Sequence, residues 1–430
     1  MSVSENEVVK LAPIVGVNNT AKEHSVPDGY VRAAENVDVD ASGKVSRRKG
    51  YQKLADLIGA RSLYAVEDEA FAVIAVGAQL GVLKDNSITF VAACHPFNDV
   101  SSAQVLDDVV CSDGEQWVRV TDNGVTAFWT EQPDRQPAVA VGSGSLTPGV
   151  YLIAATFIDE NGRESGCAGA VKVTVPDGGS LQLTSVPIAA DANTKTNIYV
   201  SEPNGSSLYR VASVRTTARN IGAITRGGKA LDTQFMSWLA PGDVVAYGHG
   251  RLVSAKANVM YFSEPMQTGL CNAAHNYVMF KDPVDMIVAV GTANYGGWFV
   301  AAGKRTYWFD NADISKAQRS IAVPHGAVRG TCALVDSDTL GIEGIGTMTT
   351  KSAYWMADNG AFYVGAQGGI VSAAPSKHFV GVSGAENGAS VVRSVDGTRQ
   401  IVTTVRGGKQ DSLSVSDTIA VTEYRNGVQV

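Results

Sequence analysis

Apolar and polar residues alternate along this chain in short runs, and glycine, asparagine or aspartate bounds most of them. The runs are roughly four to eight residues long, which is the length of a β-strand, and their period of two is that of a half-buried strand. Long stretches with apolar residues at helical spacing are absent, because glycine or proline interrupts them. The pattern therefore predicts an all-β protein.

Tight turns separate pairs of these runs and predict β-hairpins. Asn123-Gly124 and Asn359-Gly360 are two such turns, and Asn-Gly accepts the positive φ angles of primed two-residue turns. The predicted hairpins span residues 37–45, 117–128, 251–262, 297–309, 354–364 and 391–401. The aromatic-rich ones recur at irregular intervals, which is typical of β-propeller blades, while a series of stacked sandwiches remains an alternative.

One segment has the pattern of an inserted domain. Residues 137–217 contain about seven strand-like runs, which is the scale of a fibronectin-like or immunoglobulin-like β-sandwich. The Gly/Ser-rich residues 141–145 are expected to form its entry linker. The predicted organisation is residues 1–136 as the N-terminal part of a β-propeller, 137–217 as the insert, and 218–430 as the C-terminal part. Since strand pattern continues to the last residue, strands from both chain ends are expected to share a blade.

Composition limits the function classes. The chain has 430 residues, 18% charged residues, 45 glycines and a net charge of -7. Acidity argues against a sequence-independent grip on DNA or an anionic membrane, but an acidic wall is compatible with DNA in passage. Five separated cysteines favour reduced, buried thiols, and the N-terminus lacks the pattern of a signal peptide, so we expect neither secretion nor membrane insertion.

Two stretches carry a resemblance to a known group of proteins. Residues 16–51 contain a Gly-Val-Asn-Asn stretch, an Asn-Val-Asp-Val-Asp strand, a glycine turn and a basic Arg-Arg-Lys-Gly-Tyr segment. This run resembles the opening of β-propeller virion proteins of tailed bacteriophages. Residues 241–265, from Pro-Gly-Asp-Val-Val to Phe-Ser-Glu-Pro, are similar to a recurrent blade of the same group.

The resemblance implies a structural virion protein of a short-tailed phage, located at the head-to-tail junction or in the tail tube or nozzle. Such a protein is assembled in the host cytoplasm as a homo-oligomer. The resemblance also implies a ring of copies, sixfold to match the tail axis, that contacts other tail and connector proteins. DNA would pass transiently through this ring during ejection. The rival hypothesis is a receptor-binding or glycan-degrading tail propeller, for which exposed aromatic side chains would be the sign. Because Trp117, Trp129, Trp298, Trp308 and Trp355 lie in strand patterns, we expect them in the core.

Motifs for catalysis or metal binding are weak, and we predict no catalytic, cofactor-binding or metal-binding residues. The histidines lie singly, at positions 24, 95, 249, 275, 325 and 378. Residues 222–230 resemble a phosphate-binding loop, but the spacing is one residue too long and Ala230 replaces the hydroxyl residue, so we expect a turn. The acidic residues at 67–69 and 107–108 are of the type that a glycosidase or polysaccharide lyase uses, but we expect solvated turns. Asp336 and Asp338 have the spacing of calcium ligands but lack the rest of a ligand loop. The basic cluster at 47–49, with Arg32 and Lys53, is expected either to contact an acidic partner subunit or a DNA backbone, or to protect a strand edge.

Overall fold

The computed structural model confirms the predicted all-β class. It describes residues 13–39, 42–48, 50, 57–67, 70–167, 169–224, 227–292, 294–337, 345, 350–373, 381–395, 398–409, 419–425 and 428–429. The helical segments in this part of the chain are short 3-10 turns, at Glu23–Ser25, Ile314–Lys316 and Gln367–Gly369. None of them has the length and apolar character needed to cross a membrane.

The chain forms two compact units. The terminal unit consists of Met1–Leu57 and Phe280–Val430, and the central unit is Ile58–Met279. Each unit is built mainly from small antiparallel sheets, and in most of the four-stranded ones the strands follow one another in sequence order.

The N-terminal part of the terminal unit contains two small strand pairs. The first is parallel, and the second is an antiparallel hairpin with Gly43 (φ 80°) in its turn. The strands are β1 (Gly16–Val17), β2 (Tyr30–Val31), β3 (Val37–Val39) and β4 (Val45–Arg47). Asp38 in β3 accepts hydrogen bonds from Arg48 Nε (3.1 Å) and from Arg393 Nη2 (3.1 Å). These contacts connect the hairpin to the C-terminal end of the same unit.

The central unit begins with two four-stranded up-and-down sheets. The first consists of β5 (Ala60–Ala65), β6 (Ala72–Val76), β7 (Gln79–Lys84) and β8 (Ser87–Ala93). The second consists of β9 (Ser101–Val105), β10 (Asp108–Ser112), β11 (Trp117–Thr121) and β12 (Gly124–Thr126). Such four-stranded antiparallel meanders are the blades of β-propellers.

A two-sheet sandwich follows, as the sequence predicts. Its seven strands are β13 (Ala138–Leu146), β14 (Gly149–Ile158), β15 (Val171–Val175), β16 (Gly179–Thr184), β17 (Lys195–Ser201), β18 (Leu208–Val214) and β19 (Arg219–Ile221). One sheet has the order β13-β16-β19 and the other β15-β14-β17-β18. Apolar side chains of both sheets, among them Tyr151, Leu181 and Ile198, form one buried core. The sandwich is therefore an insert between two blades.

A third blade completes the central unit. The strands after the insert are β20 (Ser237–Trp238), β21 (Val244–Gly248), β22 (Arg251–Lys256), β23 (Val259–Phe262), β24 (Leu270–Cys271) and β25 (Tyr277–Met279). The blade has the order β21-β22-β23-β25, while β20 and β24 form a separate pair.

The C-terminal part of the terminal unit adds three blades in sequence order. The first has β26 (Val284–Val290), β27 (Gly297–Ala302), β28 (Arg305–Phe309) and β29 (Arg319–Val323). The second has β30 (Ala333–Asp336), β31 (Lys351–Met356), β32 (Phe362–Gly365) and β33 (Val371–Ala373). The third has β34 (Ser383–Val395), β35 (Thr398–Lys409), β36 (Ile419–Arg425) and β37 (Val428–Gln429).

Consecutive blades pack face to face within each unit. In the central unit, Val73 of the first blade and Val109 of the second belong to one buried cluster, and Val110 shares another with Leu252 of the third. In the terminal unit, the ring centres of Phe299 and Trp355, which belong to adjacent blades, lie 5.5 Å apart. Burial of apolar area on both faces of each sheet is the main stabilising contribution to this arrangement.

The predicted hairpins are present, but two details of the prediction are wrong. Only the glycines of Asn123-Gly124 and Asn359-Gly360 have positive φ angles, so these are not the expected primed turns. Residues 141–145 belong to strand β13 and do not form a linker. Gly142 and Gly144 pack so closely on Gln182 and Ser180 of β16 that a Cβ atom would collide with them.

The chain-end prediction concerns residues that are only partly described. In the described part, the last blade takes its four strands from Ser383–Gln429, and the N-terminal segment reaches it through the Asp38–Arg393 contact. Residues 1–12 lie outside the described residues, so sharing of a blade by both chain ends stays a prediction, as do the domain limits.

Candidate functional site

A buried carboxylate lies where the insert joins the rest of the central unit. Thr156 on β14 is the antiparallel partner of Asn197 on β17, and Tyr199 follows two residues later. These side chains therefore point to the same face of the sheet, opposite the sandwich core. Residues 163–167 cross this face and place Glu164 against them. We call Glu164, Thr156, Asn197, Tyr199 and Lys229 the Glu164 cluster.

The carboxylate of Glu164 is fully engaged by donors. Its Oε1 accepts hydrogen bonds from Thr156 Oγ1 (2.6 Å), Tyr199 Oη (2.5 Å) and Asn197 Nδ2 (2.9 Å), and its Oε2 lies 3.4 Å from Lys229 Nζ. Burial disfavours the charged form and would raise the pKa of Glu164. The hydrogen bonds and the charge of Lys229 outweigh that effect and lower the pKa below its ordinary value. The group is a carboxylate at neutral pH.

Burial and the neighbouring carboxylate act on Tyr199 in the opposite direction. Desolvation and the hydrogen bond to Glu164 both raise the pKa of the Tyr199 hydroxyl, because each disfavours a phenolate. Tyr199 is therefore a neutral donor to Glu164. The remaining polar atom, Asn197 Oδ1, is buried and accepts no hydrogen bond from any described residue.

The main chain fixes the position of Lys229. The Lys229 carbonyl accepts a hydrogen bond from Arg210 N of β18 (2.9 Å), and Leu231 N donates to the Leu208 carbonyl (2.9 Å). Residues 229–231 thus extend the sheet beyond β18. From there the Lys229 side chain, which is 49% exposed, reaches over to Glu164.

Aromatic side chains bind the root of the insert to its connecting segments. Trp129 Nε1 donates to the Glu164 carbonyl (3.1 Å), and Thr130 Oγ1 donates to the Arg163 carbonyl (2.8 Å). The Arg163 guanidinium lies 5.7 Å from the centre of the Trp129 ring. Trp238 Nε1 donates to the Thr130 carbonyl (3.0 Å). The insert is consequently held by several directional contacts rather than by a flexible linker.

The histidines of the described chain remain apart from one another. His95 Nδ1 accepts hydrogen bonds from the main chain of Phe97 and Asn98, and His325 Nδ1 lies 3.5 Å from Asp358 Oδ1. His378 lies outside the described residues. Within the described part, no three histidine, cysteine or acidic side chains come together as a metal site would require.

The acidic residues have structural roles or are solvated. Asp108 forms an ion pair with Arg119 (2.6 Å), whereas Asp107 and Glu67 are exposed. Asp336 is exposed at the end of β30. Residues 68, 69 and 338 lie outside the described residues.

The basic cluster is divided between two roles. Arg48 is half-buried and forms an ion pair with Asp38, whereas Arg32 and Arg47 are exposed. Lys49 and Lys53 lie outside the described residues. Of the phosphate-loop-like segment 222–230, residues 225 and 226 are not described, and Lys229 belongs to the Glu164 cluster.

Most of the predicted core residues are buried. Trp129, Trp298, Trp308 and Trp355 are buried, and Trp117 is half-buried with its ring stacked 4.8 Å from Phe128. Four cysteines are buried and one, Cys332, is half-buried; all five are free thiols. Burial raises the pKa of Cys111, Cys271 and Cys332 to about 12, so these thiols are unreactive.

Several exposed apolar side chains are held in rigid, strained positions. Leu106, Phe235 and Met266 have φ angles of 57°, 62° and 60° and are 71%, 62% and 72% exposed. Ile58 and Phe97 are exposed even further. Large apolar residues in left-handed conformations are uncommon and strained.

Sequence reasoning missed the Glu164 cluster. Glu164 follows an Asp-Glu-Asn-Gly segment that has the composition of a solvated turn, and Lys229 lies far away in the sequence. The available signal was the alternation in Thr196-Asn-Ile-Tyr-Val200, which places two polar side chains on one strand face.

Comparison with known proteins does not identify a family. No protein-family model matches the chain, and no curated protein matches it. Similar solved structures include BBS1N in complex with ARL6DN, at 12% identity, 82% of this chain, 91% of that chain and a TM-score of 0.32. Kluyveromyces lactis Hsv2 has 8% identity, 85% and 98% coverage and a TM-score of 0.29. Porphyromonas gingivalis dipeptidyl peptidase 4 has 13% identity, 91% and 47% coverage and a TM-score of 0.27. With TM-scores this low, we base the propeller-type fold on the blade topology.

Proposed function

We propose that this chain is a non-enzymatic structural protein of a bacteriophage tail, located in the virion as a head-to-tail connector or as a ring of the tail tube or nozzle. Its role is to help form the passage for DNA ejection and to hold neighbouring tail proteins. Function then resides in shape and in contacts between subunits.

The observation that carries the proposal is the course of the N-terminal run. Strand β3 pairs with the basic strand β4, and Gly43 lies between them, in the order that the resemblance gives for the virion proteins. Asp38 in this hairpin binds both Arg48 and Arg393. The motif residues therefore serve to position the hairpin, and the exposed Arg47 remains available to a partner.

The second similar run supports the same proposal. Residues 241–265 include β21, β22 and β23, which are the first three strands of a blade. His249 and Gly250 form the turn between β21 and β22 with φ angles of 50° and 73°. The run thus folds into three consecutive strands of one blade, and the fourth strand, β25, lies beyond it.

The exposed apolar residues give this assembly role a physical basis. Leu106, Phe235 and Met266 lie on short turns and strand ends, where the main chain is fixed by neighbouring hydrogen bonds. A rigid apolar group binds a partner at a small entropic cost, because little freedom is lost on contact.

Electron microscopy of the purified full-length chain tests the proposal. We expect ring-shaped homo-oligomers, with hexamers as the simplest match to a tail axis, and incorporation of the chain into virions. Arg47→Glu should weaken the rings if this arginine meets an acidic partner surface, and Lys172→Glu, on the exposed side of the insert, is the matched charge reversal. A persistent monomer that hydrolyses bacterial polysaccharide would instead identify the rival, a glycan-degrading tail propeller.

A further inference from the structure

Three groups with complementary chemistry meet at Glu164. The Lys229 amine contacts Oε2, the Asn197 carboxamide contacts Oε1, and both therefore lie against one carboxylate. An amine is a nucleophile, a carboxamide is an electrophile with ammonia as its leaving group, and a carboxylate between them can carry a proton. We propose that Lys229 and Asn197 condense into an intramolecular isopeptide bond, with Glu164 as the proton carrier.

The state of Asn197 supports this assignment. Asn197 is fully buried, and its Oδ1 accepts no hydrogen bond from the described residues. A buried polar atom without a partner requires an explanation, and a chemically active group is one. A side chain kept only as a donor to Glu164 would need no such unpaired carbonyl group.

The surroundings hold the reacting groups in place. Thr156 and Tyr199 bind the same oxygen of Glu164 as Asn197 does and fix the rotamer of the carboxylate. Lys229 is fixed at its main chain by β18, and Asn197 lies within β17. The Lys229 amine also lies 3.4 Å from Asp232 Oδ1. Holding the amine and the amide beside Glu164 converts a bimolecular reaction into an intramolecular one.

The reaction balances without a cofactor or an oxidant. Glu164 accepts a proton from the Lys229 ammonium, and the free Nζ attacks Cγ of Asn197. Glu164 then returns the proton to Nδ2, the Cγ–Nδ2 bond breaks, and ammonia leaves. The surplus proton on Nζ leaves with it as ammonium, so Glu164 ends as a carboxylate. The low pKa of Glu164 makes it a weak base, but a reaction that occurs once per molecule needs no high rate.

The consequence is a covalent staple at the root of the insert. The new bond joins β17 to the segment beyond β18, and these two are held otherwise by hydrogen bonds and packing. A cross-link that closes a loop stabilises a fold mainly by restricting the unfolded chain. The inference does not depend on the proposed function.

The intact mass of the purified, denatured full-length chain tests the inference. We expect a mass lower than that of the sequence by one ammonia, and a branched peptide that joins the Asn197 and Lys229 fragments after proteolysis. Lys229→Arg and Asn197→Ala should each restore the full mass. Lys172→Arg, at an exposed lysine of the same insert, should retain the deficit.

Two results would overturn the inference. One is a wild-type mass equal to that of the sequence, which needs no variant and is independent of whether the variants fold. The other is a deficit that persists in Lys229→Arg, because loss of ammonia at an Asn-Gly pair would produce the same mass without a cross-link. The peptide map locates the deficit in either case.

Discussion

At the scale of single residues, alternation along a strand predicts burial well but does not predict partners. Trp298 and Trp355 lie in aromatic strand patterns and are buried, because a strand between two packed sheets buries both faces. Asn197 and Tyr199 share a strand face because residues two positions apart in a strand point to the same side. Glu164 could not be assigned to them, since the segment that contains it has the composition of a solvated turn and no local pattern encodes a contact across the fold.

Replacing Glu164 should destabilise the insert. Glu164→Gln removes the charge from four contacts, and hydrogen bonds to charged groups contribute about 1.5–3 kcal/mol each before compensation by the amide. We expect the free energy of opening of β14 and β17 to fall by about 2 kcal/mol in native-state hydrogen exchange. The control is the exposed neighbour Glu160. Glu160→Gln should change the free energy of opening by less than about 0.5 kcal/mol. Equal effects of the two substitutions would show that the cluster does not stabilise the insert.

The same carboxylate gives a defined pH dependence. The folded-state pKa of Glu164 lies below its ordinary value of 4.5, so its contribution is present above that pH and is lost as pH falls through the folded pKa. The stability difference between the wild type and Glu164→Gln should therefore be constant near neutrality and shrink in acid. Hydrogen exchange at a series of pH values measures it, and a difference that grows in acid would contradict the assignment.

Leu106 should be replaceable by glycine with a gain in stability. Its φ angle of 57° is strained for a leucine, and its side chain is 71% exposed, so little burial is lost. We expect Leu106→Gly to raise the free energy of unfolding by about 1 kcal/mol, since relief of strain exceeds the entropic cost of glycine. Leu63→Gly, within β5 and similarly exposed, should lower it by about 1 kcal/mol. Chemical denaturation compares the two variants.

At the scale of elements, hairpins were predictable because they are local. The pairings Tyr354↔Val364 and Val253↔Phe262 follow from alternating runs on either side of a short turn. Turn geometry was less predictable: the turn with two consecutive non-glycine positive φ angles is Asp85-Asn86, not Asn123-Gly124 or Asn359-Gly360. Strand β13 was mistaken for a linker because its glycines are required by close packing on β16, a contact that is not visible in the sequence.

Arg61 stabilises the connection between the first two blades of the central unit. Arg61 on β5 donates to the carbonyls of Gly77, His95 and Asn98, the last at 2.7 Å. Its three nitrogens point in fixed directions that a lysine ammonium cannot reproduce. Arg61→Lys should therefore lower the free energy of opening of residues 94–100 by about 2 kcal/mol in hydrogen exchange. Arg219→Lys, at an exposed position, should leave this free energy of opening unchanged. A similar decrease in both variants would show that Arg61 does not stabilise the connection.

At the scale of the whole molecule, the sequence predicted a repeated all-β architecture with a sandwich insert, and the structure confirms this fold class. The repeat was visible because each blade is a local meander. The six four-stranded blades of the described chain could not be counted from the sequence, since strands such as β9 and β30 carry weak alternation and connections vary in length. The proposed role in a phage tail rests on two motif runs, which fold into defined elements but whose partners lie outside the chain.

The central unit should fold by itself. Its apolar clusters, including those around Val109, Leu252 and Ile198, are formed entirely by residues between Ile58 and Met279. A fragment of residues 58–279 therefore retains these clusters, and we expect a cooperative thermal transition by circular dichroism. A fragment of residues 58–201 loses β18, β19, the third blade with Leu252 and strand β24 with Leu270, and both leucines belong to the cluster around Val110. It should not unfold cooperatively, because the loss exposes apolar surface that the second blade buries. If the longer fragment also lacks a transition, the apolar clusters do not suffice to stabilise the unit.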